Sequence, residues 1–318
     1  MQQLSRFAKY AWFVLAYTIL VILWGAYVRA TGSGAGCGSH WPSCNGEIIP
    51  RPEQIETIIE LTHRITSSFL GVLIIIMLVW AFRIYPKGHA VRRGSVYSLI
   101  FVITEGAIGA GLVLLELVAD NSSVARAVSG ALHLINTFIL VAWLLLTAWW
   151  ASDKRPYSLQ NQGLLLPLLM LGAFLILLIS SSGAITALGD TLFPAESLAE
   201  GIGQDFDDSA HFLVRLRIWH PVVALLSSYY LYWLNKFIRQ QRSTPLIQQL
   251  TLGLNAILLT QLLAGFVNVI LLAPVWMQIV HLLLADLVWI FFVLVGATSL
   301  AAKETAVSPI AAIPQTGD

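Results

Sequence analysis

Charge is what this chain has least of: Asp, Glu, Lys and Arg together make up 11% of 318 residues. Soluble domains carry roughly a quarter, so a water-exposed globule of this length is excluded. Cysteine is scarce as well. Cys37 and Cys44 are the only two, too few for a Cys-ligated iron–sulfur cluster, and there is no Cys-x-x-Cys-His haem attachment site. The first apolar run is too long for a cleavable signal peptide and lacks a small-residue cleavage site. What remains is apolar: 57% hydrophobic residues with eleven tryptophans. This is the composition of a polytopic, all-α membrane protein, with no nucleic-acid partner expected.

Eight segments reach the roughly 20 apolar residues that a hydrocarbon core requires. They lie near 11–29, 60–82, 96–118, 130–151, 163–185, 211–234, 250–272 and 279–300. Lys and Arg collect on alternate connections: Arg6 and Lys9, then Arg83, Lys87, Arg92 and Arg93, then Lys154 and Arg155, then Lys236, Arg239 and Arg242. The connection at 186–210 is acidic instead. The positive-inside rule then places both termini in the cytoplasm. Two long outer connections, 30–57 and 186–210, carry the remaining loop sequence. The tail at 304–318 reads as disordered.

The chain repeats itself. Thr31 corresponds to Thr186, His63 to His220, Glu105 to Gln261, Gly109 to Gly265 and His133 to His281. The offset is 155 to 157 residues until the third span and 148 at the last pair. Four spans per half preserve orientation, as in parallel duplications. The expected fold is eight transmembrane helices as two repeated four-helix bundles, 1–157 and 158–303.

Of seven histidines, His40, His89 and His211 lie in or beside connections. His63, His133, His220 and His281 each lie about a turn inside the outer end of an even-numbered span. A lone intramembrane histidine is ordinarily a hydrogen-bonded structural side chain. Four at one depth, in two repeat-related pairs, point to bis-histidine haem, one per half, because bundles hold cofactors by inward side chains and imidazole is a common axial ligand. Zinc would want ligands closer in sequence or a carboxylate in every set. Arg64, Arg215 and Arg217 lie beside these histidines on the outer side, against the positive-inside bias, and suit haem propionates. The simpler alternative is that they snorkel to the interface.

The repeat breaks at one place: Glu60 stands three residues before His63, and Arg217 three before His220. On a helix, Glu60 and His63 share a face. An ionisable cluster of this kind in a membrane is costly and marks function, which places chemistry in the first half and a plain cofactor site in the second. Cys37 and Cys44 stand in a glycine-rich outer loop where a disulfide is expected. It can staple the loop or act as a redox relay, and both readings stand. Glu105, Glu116 and Asp286 are expected to be structural, Glu105 through an interhelical hydrogen bond.

Gly32-Ser33-Gly34 with Cys37, His40-Trp41-Pro42 and Cys44, followed by Glu60-x-x-His63-Arg64, resembles the haem A synthase family across nearly the whole chain. The resemblance implies oxidation of a ring methyl of haem O to a formyl group with oxygen from water, giving haem A. It implies His63 and His133 on the substrate haem, His220 and His281 on a permanent haem B, Glu60 as catalytic carboxylate and a Cys37–Cys44 disulfide. It also implies haem O synthase (a farnesyltransferase) and terminal oxidase assembly as functional partners, an unnamed electron acceptor, and the plasma membrane of a bacterium or archaeon. Two rivals remain. A di-haem b-type electron carrier or quinone oxidoreductase subunit explains the histidines but not the Glu60/Arg217 asymmetry. A duplicated transporter would put its ionisable groups nearer the midplane.

Overall fold

The structure is a computed structural model that describes residues 4–48 and 54–301; the tail expected to be disordered at 304–318 lies outside the described residues. Those residues form helices throughout, with no strand among them beyond isolated bridges at Cys44–Glu47 and Tyr157–Ala301. In chain order they are α1 (Arg6–Ala30), α2 (Ile55–Ile84), α3 (Ala90–Leu114), α4 (Val124–Ala151), α5 (Leu165–Leu192), α6 (Leu198–Asp205), α7 (Phe212–Arg215), α8 (Trp219–Gln241), α9 (Pro245–Ile270) and α10 (Val275–Ser299). A 3-10 turn, Ser33–Ala35, follows α1.

Several helix starts are written locally. The hydroxyls of Ser5, Ser123 and Thr244 accept from the backbone N–H three residues on, capping α1, α4 and α9. Pro245 opens α9, where its missing N–H costs nothing. The three connection histidines have local tasks too. His89 and His211 cap α3 and α7 by accepting from Val91 N and Leu213 N, and His40 lies in the loop beside Gly38.

Among the described residues, seven helices are long and apolar enough to cross a membrane: α1 to α5, α9 and α10. This makes the chain a multi-pass membrane protein. The eight expected spans are therefore not all met. The segment expected at 211–234 resolves into the single turn α7, a break, and α8 starting at Trp219. Helix α8 has 23 residues, about 34 Å at 1.5 Å per residue, so length is sufficient. Its shortfall is in apolarity, because Ser227, Ser228, Tyr229, Tyr230, Asn235 and Lys236 dilute the run. Pro221 lies in its first turn, where proline is tolerated.

Helix α1 packs on α2 and α4, and α3 on α2 and α4; α5 packs on α8 and α10, and α9 on α8 and α10. Helix α4 also meets α5 and α10, while α1 meets α10. That central position explains why α4 is the most buried of the seven apolar helices. Across the seam, Trp289 Nε1 in α10 donates to the Phe138 carbonyl in α4 at 2.6 Å, with the two rings stacked at 5.7 Å. Elsewhere large apolar side chains face outward along helix faces, Phe174, Leu225 and Phe266 among them. A bilayer makes that exposure favourable.

Candidate active site

Glu60 is set by its place in the second turn of α2, where the loop segment around Cys37 and Cys44 folds back over the helix. It is 3% exposed. Cys37 N–H donates to its Oε2 at 2.8 Å, and Arg64 donates to Oε1 through Nε and Nη2. The Arg64 guanidinium continues into the loop, donating to the His40 and Ser43 carbonyls at 2.7 Å each. One arginine thus ties the carboxylate to the loop, whose two ends the Cys37–Cys44 disulfide joins. A buried carboxylate survives only when its lone pairs are satisfied, and here a backbone N–H and a guanidinium do so.

Gly36 seats the loop. Its carbonyl accepts from Thr57 Oγ1 at 2.7 Å, and a Cβ there would strike the Glu56 carbonyl carbon and oxygen. Gly36→Val is therefore expected to lift the loop off α2 and destabilise the protein by about 1–3 kcal/mol, the usual range for overpacking. The check is thiol reduction of the Cys37–Cys44 disulfide, which should speed up. An unchanged rate would mean that the loop seats without this contact.

The four intramembrane histidines follow one rule: each ring lies against a glycine of the preceding apolar helix. A Cβ at Gly25 would sit 2.8 Å from His63 Cε1, and at Gly183 and Gly265 it would sit 3.0 Å from Cε1 of His220 and His281. At Gly109 the distance to His133 Cε1 is 3.8 Å. The His220 and His281 ring centroids are 6.4 Å apart at 85°, so that pair meets within the second half.

The second pair suits haem by its spacing. With metal–imidazole bonds of about 2 Å, one iron between two imidazoles sets their centroids roughly 6 Å apart. Nδ1 of His63, His133 and His281 is buried without a hydrogen-bond partner. His220 Nδ1 is instead held by Ser182 Oγ at 2.9 Å, leaving Nε2 as the ring's second donor atom. His281 Nε2 faces the Gln261 amide nitrogen at 3.2 Å.

The remaining expected residues divide. Arg217 precedes α8 and is paired with Asp190 and Asp205 at 3.1 and 2.9 Å, with a further bond to Gln204. Arg64 is held as described, and Arg215 makes one exposed 3.5 Å pair with Asp208. Glu105 forms the expected interhelical bonds, accepting from Asn136 Nδ2 and Thr137 Oγ1 of α4. Glu116 lies beyond α3 in a left-handed turn, and Asp286 is fully buried with neither oxygen hydrogen-bonded. No group of three or more His, Cys, Asp or Glu side chains suited to a bare metal ion occurs among the described residues.

Residues 8–293 match the family described as cytochrome oxidase assembly protein. The chain belongs to that family. Among its relatives, a protoheme IX farnesyltransferase of Thermus thermophilus is 49% identical over 83% of this chain and 43% of its own. A heme A synthase of Alkalihalophilus pseudofirmus is 39% identical over 44% of this chain and 45% of its own. One of Halalkalibacterium halodurans is 37% identical over 43% and 44%. The chain thus spans less than half the length of the curated relatives it matches. For this family member, sequence reasoning overlooked the Gly25 and Gly183 cradles, which lie 158 residues apart, just outside the repeat offset read from the sequence. It also overlooked Arg29, which donates from α1 to the Ala187 carbonyl, Thr191 and Gln278 across the seam.

Proposed function

We propose that this chain is a haem A synthase, whose N-terminal half binds haem O and oxidises one ring methyl to a formyl group. The observation that carries this reading is Glu60, a buried, pinned carboxylate one turn from His63, with no counterpart beside His220. Each hydroxylation takes two electrons from the carbon to an external electron acceptor, releases one proton from its C–H bond and one from the water that supplies the hydroxyl; loss of water after the second leaves the formyl group. Drawing electrons from the methyl develops positive charge beside the porphyrin. A fixed carboxylate stabilises that charge and accepts a proton. Glu60 is already oriented by Cys37 N–H and Arg64, so little reorganisation accompanies the reaction. His63 and His133 hold the substrate iron. His220 and His281 would hold a permanent haem B, which supplies one-electron redox chemistry when bound.

Of the propionate candidates, Arg215 is the least committed to protein partners, and it takes that role in this reading. Terminal oxidase assembly is the proposed destination of haem A. The Thermus relatives carry the name of a protoheme IX farnesyltransferase, and a farnesyltransferase that makes haem O is the proposed supplier of substrate. The proposed architecture is two repeated four-helix bundles with α8 as the eighth span, supported by the closed set of helix contacts in each half. Both termini are cytoplasmic in this reading, and the membrane is the plasma membrane. A reporter active only outside the membrane is expected to be silent when fused at Gly88 and active at Gly201; the reverse pattern overturns the orientation.

The experiment that tests the function is extraction of pigment from the purified protein. Haem B together with haem O or haem A is the expected result. Haem B alone supports an electron carrier instead, and colourless protein removes haem from the account.

A further inference from the structure

The repeat breaks a second time, next to the second histidine of each half. Glu105 and Gln261 are equivalent positions on α3 and α9, and each meets the histidine of the following helix. Glu105 Oε1 lies 3.3 Å from His133 Nδ1, though not at a hydrogen-bonding angle. Gln261 Nε2 lies 3.2 Å from His281 Nε2, the other ring nitrogen. One half therefore sets a carboxylate against its histidine, and the other sets a neutral amide.

The surroundings follow the same division. In α4, Asn136 and Thr137 stand three and four residues after His133, on its face, and both donate to Glu105. Asn136 is itself held, donating to the Phe101 carbonyl at 2.9 Å and accepting from Thr104 Oγ1 at 2.6 Å. Their equivalents in α10 are Leu284 and Ala285, which can donate nothing. The scaffold that suits a carboxylate exists only in the first half. A purely packing role for Glu105 needs neither the donors nor the histidine.

We infer that Glu105 is a positioning residue for His133: its carboxylate faces the Nδ1 side of the ring, fixes the ring's orientation and enriches it electronically. Carboxylate–imidazole contacts of this kind raise ligand basicity and are worth about 10–100-fold in metal-site properties. A more electron-rich ligand, and a negative charge near the iron, favour the ferric over the ferrous state. The first-half iron is then the harder of the two to reduce, and Gln261 leaves the second-half iron without that bias. This rests on the proposal that each half holds one haem.

The test is redox potentiometry on purified protein carrying haem in both halves, each followed by its absorption bands. Glu105→Gln is expected to shift the first-half ferric/ferrous equilibrium about tenfold toward ferrous, which is 59 mV for one electron. The second-half potential stays fixed as the internal control. Gln261→Glu, which puts a carboxylate in the other half, is expected to lower the second-half potential alone, and it remains informative if Glu105→Gln fails to fold. Two haem potentials in the wild type with neither moved by its variant would overturn the role of Glu105 and leave the proposed function standing. A wild type with a single titrating haem, in the second half, would overturn the two-haem reading and this inference with it.

Discussion

Replacing His220 or His281 with alanine is expected to strip the C-terminal half of tightly bound haem B, seen as loss of the low-spin b-type spectrum and a fall in haem per protein. The rings stand 6.4 Å apart between α8 and α10, so either substitution would leave a bound haem with one imidazole of the pair. Ser182→Ala is expected to do less, because it removes only the bond that orients His220; lost outer partners typically cost about 10–100-fold in affinity. His89→Ala is the control, since His89 merely caps α3. Unchanged low-spin spectra in both His220→Ala and His281→Ala would place the ligands elsewhere.

The four histidines stood out because a duplication writes its positions twice: His63 matches His220, and His133 matches His281. Helix existence was legible from apolar length in most cases. The exception is instructive. In the 211–234 segment the apolar count is diluted by tyrosine, serine and tryptophan, and the helix breaks between Arg215 and Trp219, so its start was expected too early. The roles of the arginines were not legible, and the reason is physical. Arg64 takes its partners from backbone carbonyls of His40 and Ser43, which every residue possesses and no sequence pattern marks. Arg217 takes its partners from Asp190 and Asp205, acids that composition alone counted as loop charge.

The same distinction reshapes the Glu60/Arg217 asymmetry. By residue number the two are equivalents, but α2 begins eight residues before His63 while α8 begins one residue before His220. Glu60 is therefore fixed within a continuous helix, and Arg217 lies in the turn that leads into one. The first half carries its charged group on a continuous helix beside His63; the second uses its charge to fasten the turn before α8 to α5 and α6.

Glu60→Gln is expected to leave the protein folded and its haem bound while haem A production falls about 10²–10³-fold, the usual loss when one well-placed electrostatic stabiliser is removed. Glutamine keeps the volume, and its carbonyl can still accept from Cys37 N–H, so the loop stays seated. What it loses is the charge opposite Arg64 and the capacity to take a proton. Haem O or the intermediate alcohol should accumulate in place of haem A. Arg217→Gln gives the contrast. It loosens the links to Asp190 and Asp205 next to His220, so haem B occupancy should fall and activity should fall only in proportion. Both variants are read by the composition of extracted haem against total haem. Normal haem A from Glu60→Gln would mean that the carboxylate only pins the loop and that other residues carry the chemistry.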